Sequence, residues 1–139
     1  MGKRTQVNAL HSLLAEGESA LWSGVLVEII PLKDDPIKMK VRALLTENAM
    51  IWIPLRDLIT PIRVEFREMI KPQIFLTGMV GHFSFLTDPA DVSSEWVTTH
   101  VNVSQGITFA GVPGPFIECL VNQIPILQVL SPLLRQRYT

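Results

Sequence analysis

The sequence predicts a mainly β domain, an antiparallel β-sandwich or partly open barrel with short N-terminal and C-terminal helices. Three observations carry this expectation. Ile37, Met39, Val41, Ala43 and Leu45 alternate with Lys38, Lys40 and Arg42, the period of a half-buried strand. Ile62, Val64 and Phe66 alternate in the same way with Arg63, Glu65 and Arg67. The remaining apolar runs are short, and proline and glycine turn signals divide them. The runner-up is an α+β two-layer fold with the C-terminal helix packed on one sheet.

In chain order, residues 1–7 are polar and expected to be loose. Asn8 suits a helix N-cap, Leu10, Leu13 and Leu14 form an apolar stripe, and Gly17 can stop the helix, so the spacing predicts a helix over 9–16. Leu21–Ile30 is apolar on both faces apart from Ser23 and Glu28, as in a central strand that Pro31 ends. Lys33–Pro36 is a turn. Ile37–Leu55 then reads as a hairpin turning at Glu47-Asn48. Leu45 would oppose Met50, and Ala43 would oppose Trp52, which puts Val41, Ala43, Leu45, Met50 and Trp52 in the core. The turn lacks glycine, so its register is open to slippage. Pro54 places the second strand at an edge or ends it.

Thr60-Pro61 marks another turn before a strand over 62–67, which Lys71-Pro72 should break. Ile74–Leu86 is long and apolar, and Gly78 and Gly81 suggest a bulge or a sharp bend between two sheets. Asp88-Pro89-Ala90-Asp91 is a helix-start signature for 89–95. Trp96–Val103 and Ile107–Val112 read as strands flanking a turn at Ser104–Gly106. Phe116, Leu120, Val121 and Ile124 predict a helix over 115–124, and 126–134 fits either a strand or a helical turn. A polar tail follows from 135. No repeat or linker divides the chain, so residues 1–139 are expected to form a single domain.

Composition narrows the function classes. With 139 residues the chain can bury one sizeable core. Charged residues are 18% and apolar residues 47%, against roughly 25% charged in ordinary domains, so surplus apolar surface should face a partner or a second copy. A net charge of −1 argues against a dedicated nucleic-acid binder, whose basic excess is large. The single cysteine allows no intrachain disulfide and favours a reducing compartment. The expected location is the cytoplasm, with the periphery of a membrane or the inside of a virion as further options. No secretory signal and no transmembrane segment are expected, because every long apolar run is interrupted by polar residues or prolines.

Residues that could carry chemistry are scattered. His11, His82 and His100 fall on separate elements without the local spacing of a zinc site, and no metal or cofactor is expected. Cys119 stands beside Glu118 in an apolar helix, which suits a packed thiol better than a thiolate. There is no G-x-S-x-G, G-x-G-x-x-G or phosphate-loop pattern. Prolines 113 and 115 remove amide donors that a phosphate cradle would need at Gly111–Gly114. Glu28 interrupts an apolar strand and should pair with an arginine such as Arg42 or Arg63. Trp22, Trp52 and Trp96 sit among apolar neighbours and read as core residues.

The best surface feature is basic. Lys38, Lys40 and Arg42 share one strand face at about 7 Å spacing. Arg63 and Arg67 share the polar face of another strand, diluted by Glu65. In one sheet, these five cations would suit the phosphates of an anionic membrane or RNA. The plainer reading is a solvated face or an edge guarded by lysines.

The expected function is therefore a non-enzymatic structural or assembly protein, a self-associating homo-oligomer that touches an anionic membrane surface or RNA through this basic face. In size and composition the profile resembles small viral matrix or coat proteins, with no residue motif assigning a family. The alternative is a β-barrel for a small apolar ligand, walled by 74–86 and 107–127. A second alternative is an enzyme with a site dispersed over His82, His100 and Glu28.

Overall fold

A computed structural model describes residues 3–30, 35–55, 61–87 and 106–129. The fold is mainly β, one sheet curled into a half-barrel with two short helices, so the partly open barrel is the arrangement formed. Helix α1 spans Lys3–His11. Strands β1 to β4 span Trp22–Ile30, Ile37–Leu45, Ala49–Pro54 and Ile62–Glu65. A 3-10 turn covers Phe66–Glu68. Strands β5, β6 and β7 span Ile70–Thr77, Val80–Leu86 and Ile107–Ala110. Helix α2 spans Gly114–Gln123, and β8 is Gln128–Val129. The strand order is β4-β3-β2-β1-β7-β6-β5-β8. Neighbours run antiparallel except β5 and β8, which are parallel. Two meanders, β1–β4 and β5–β7, thus meet along β1 and β7.

Alternation along each strand sends one row of side chains into the concavity and the next row outward. The inward row includes Leu26, Val41, Trp52, Phe83 and Phe109. Pro113 and Pro115 set up α2, whose Phe116, Ile117 and Leu120 turn into that concavity and fill it. Edge-to-face rings tie the layers: Trp52 to Phe109 at 5.1 Å and Trp22 to Phe116 at 4.9 Å. Gly24 lets the Trp22 ring fold onto the strand, since a Cβ there would lie 2.6 Å from Cζ2 of Trp22. On the convex side, α1 lays Leu10 on Leu44, Ile51 and Ile53. β3 is therefore buried on both faces.

The hairpin has the register that its pattern predicts: Leu45 opposes Met50 and Ala43 opposes Trp52. Thr46 closes the turn. Its Oγ1 accepts the Asn48 and Ala49 amides, both at 2.9 Å. Pro54 ends β3, although β3 lies inside the sheet and β4 takes the edge.

Several boundaries differ from the expectation. α1 begins at Lys3, because Gln6 is buried and its amide donates to the Leu55 carbonyl at 2.9 Å. β4 stops at Glu65, where the Phe66 amide donates to the Asn48 carbonyl at 2.7 Å and the chain enters the 3-10 turn. Lys71-Pro72 does not break β5. The register shift between Ile70 and Gln73 absorbs the proline, and Lys71 takes a φ of 52°. The run 74–86 does not cross between sheets. It is the β5–β6 hairpin, with Thr77 opposite Val80 and Gly78 at a φ of 62°. The predicted helix 89–95 and strand 96–103 lie outside the described residues, as does most of 126–134.

Candidate functional site

Each of the five candidate cations has a definite place. Lys38, Lys40 and Arg42 lie on the convex face of β2, and both lysines are exposed. Among the described residues these three form no ion pair. Arg42 Nε donates to the side-chain Oε1 of Gln6 at 3.4 Å, a neutral contact. A groove of about 360 Å³ beside the row is lined by Ile37, Lys38, Met39, Lys40 and Leu55.

Arg63 and Arg67 are not part of this row. β3 and the overlying α1 stand between β2 and β4. Arg63 holds Glu18 with two nitrogens, at 2.6 and 3.0 Å, and also donates to the Leu13 carbonyl at 3.0 Å. The guanidinium holds the Glu18 carboxyl down at about 2 against the opposing effect of burial, with lesser help from the Ala15 amide, Asn48 and Thr46. Glu18 also accepts from Thr46 Oγ1 at 2.9 Å and Asn48 Nδ2 at 3.1 Å. Arg63 is thus a fastener between the loop after α1, β4 and the β2–β3 turn. Arg67 sits in the 3-10 turn and pairs with Glu65 at 3.2 Å. The expected five-cation patch is divided into a row of three, one latch and one exposed pair.

Glu28 meets neither arginine. It points into the concavity, opposite Phe109 and Met39, and Trp52 Nε1 donates to its Oε1 at 3.0 Å. Arg42 and Arg63 lie on the other face of the sheet, which is why the expected salt bridge does not form. His82 also lies on the outer face, opposite Ala110, so it shares no site with Glu28. His11 is exposed on α1, and His100 lies outside the described residues. No group of three or more metal-ligating side chains occurs among the described residues. Cys119 packs against the core, and burial pushes its thiol up. α2 is itself part of the 107–127 wall, and its Phe116, Ile117 and Leu120 pack in the core with Ile74, Phe83 and Phe85 of the 74–86 wall.

The remaining outer surface belongs to β1, β7, β6 and β5. Its outward positions are Ser23, Val25, Val27 and Ile29, then Thr108 and Ala110, then Val80, His82, Ser84 and Leu86, then Gln73, Phe75 and Thr77. None is Lys, Arg, Asp or Glu. Lys71, in the bulge, stands at its margin. α1 packs on β2 and β3, and Val25 and Val80 are each 45% exposed. This uncharged field was legible once the strands were assigned, because alternation alone selects its members. The Glu18–Arg63 latch joins residues 45 apart and left no local signal.

Compared with known proteins, the chain matches no family model, no curated protein and no solved structure.

Proposed function

We propose that the protein is a non-enzymatic assembly domain, self-associating and applied to an anionic membrane surface through Lys38, Lys40 and Arg42. The carrying observation is the row of three cations on one face of β2. Three cations stand in line without a carboxylate among their described contacts, next to a groove whose other walls are Ile37, Met39 and Leu55. Cations beside apolar side chains match the headgroup region of a bilayer, where each basic residue adds about 1 kcal/mol. RNA fits less well: Trp52 is fully buried and Trp22 packs on Phe116, so neither offers a ring to bases. No described helix is long and apolar enough to cross a membrane, in keeping with contact at the surface.

Sedimentation with phosphatidylserine-containing vesicles tests this reading. Lys38→Gln/Lys40→Gln should weaken binding about 30-fold and make it less sensitive to salt. Equal sedimentation of wild type and variant would remove the row from function, and binding to single-stranded RNA without vesicle binding would replace the membrane with RNA.

A further inference from the structure

We infer that Gln6 of α1 is a positioning residue for the cation row on β2, its buried amide holding Arg42 in line from an anchor on Leu55. The inference rests on the membrane reading above and names the residue that sets the shape of its site.

The placement of Gln6 argues for this role. It lies four residues before Leu10, on the α1 face that turns toward the sheet, and it is 4% exposed. Leu10 makes the apolar contact there, on Leu44, Ile51 and Ile53. A leucine or methionine at position 6 would bury as readily, whereas a buried amide is costly unless it is bonded. The Gln6 amide is bonded at both ends, to two different parts of the sheet. Nε2 donates to the Leu55 carbonyl at 2.9 Å, just past β3, and Oε1 accepts from Arg42 Nε on β2 at 3.4 Å. A carbonyl only accepts and an arginine Nε only donates, so both partners require the same orientation of the amide.

The anchor is itself fixed. Leu55 donates its own amide to the Lys40 carbonyl at 3.1 Å and lines the groove beside the lysines. Its main chain is thus held between Lys40 on one side and Gln6 on the other. Arg42 stands cross-strand from Val25 of β1 and Ile53 of β3. The bond to Gln6 draws its guanidinium toward α1 instead of letting it range over Val25. A long side chain fixed before contact loses less freedom when a phosphate is bound. Gln6 is neutral, so it orients the guanidinium without bringing an opposing charge to it.

Sedimentation with phosphatidylserine-containing vesicles, run as a double-mutant cycle, tests the role. The variants are Arg42→Gln, Gln6→Met, which keeps the side chain long and loses both bonds, and the two combined. Arg42→Gln should weaken binding about fivefold. Gln6→Met should weaken it about threefold in the wild-type background and add nothing in the Arg42→Gln background. Equal losses in the two backgrounds would make Gln6 a structural residue only and overturn the inference, as would unchanged binding of Gln6→Met. Proton exchange at arginine Nε, read by NMR on the unaltered protein, tests the bond without any variant having to fold. It should be slower at Arg42 than at Arg67, whose side chain is 81% exposed, and equal rates would overturn the tether. A wild type that does not sediment with these vesicles would overturn the membrane reading itself.

Discussion

The β2–β3 hairpin turns through Glu47-Asn48, and the β5–β6 hairpin turns through Gly78-Met79. Both connections have two residues, and their supports differ. Gly78 takes a left-handed φ of 62° that costs glycine nothing, and among the described residues no side chain bonds to the turn from outside its hairpin. Glu47 and Asn48 keep negative φ. Their turn is held by Thr46 from within and by Glu18 from outside, and Arg63 holds Glu18 in place. One hairpin carries its geometry in a single residue. The other borrows it from a loop and a strand far along the chain.

Substitutions on each side should separate these two designs. The largest effect is expected at Arg63→Ala. It strands the Glu18 carboxylate, whose side chain is only 2% exposed, and should lower stability by about 3 kcal/mol in urea melts. A loss below about 1 kcal/mol would mean that the turn stands without its latch. Next comes pH. Glu18 is held at about 2, below its ordinary 4.5, so its contribution is complete above pH 4.5 and disappears as pH falls towards 2. Acid melts of wild type should fall more steeply through this window than those of Glu18→Gln. Parallel curves would show that the latch does not carry this acid sensitivity. The smallest effect, about 1 kcal/mol, belongs to Gly78→Ala, which forces a Cβ into the left-handed region with nothing within 4 Å to clash. Thermal melts should show it in full in the Arg63→Ala background as well, because the two turns share no partner.

The same contrast explains what could be read in advance. The alternation of Ile37–Leu45 gave the strand, its inward face and the Leu45–Met50 register, because those depend on near neighbours. Gly78 was visible as a break, though its role as a turn needed the partner strand to be known. Arg63 looked like a surface cation, since nothing near it in sequence reveals Glu18. Glu28 was recognised as an acid in an apolar strand, but the expected partner was an arginine of the opposite face, because a strand apolar on both sides does not tell which way its one acid points. Its hydrogen bond from Trp52 depended on β3 lying two strands away, with β2 between them. Lys71-Pro72 misled because a proline can be absorbed in a bulge, which the pattern does not show. For the cation row, spacing placed Lys38, Lys40 and Arg42 together correctly. It could not foresee α1 lying between them and β4.

The meeting of the two meanders bears on how the chain reaches this shape. The β1–β2, β2–β3, β3–β4 and β5–β6 ladders join strands adjacent in sequence, whereas β1 meets β7 by pairing residues 27–29 with 108–110. Loop-closure entropy is therefore concentrated in this short seam and in the β5–β8 pairing of residues 73–74 with 128–129. Long-range pairing of this kind slows folding, and the rate should be governed by how readily Glu28 finds Phe109. Until that seam closes, each meander shows its inner row to solvent, and α2 has only part of a concavity to fill.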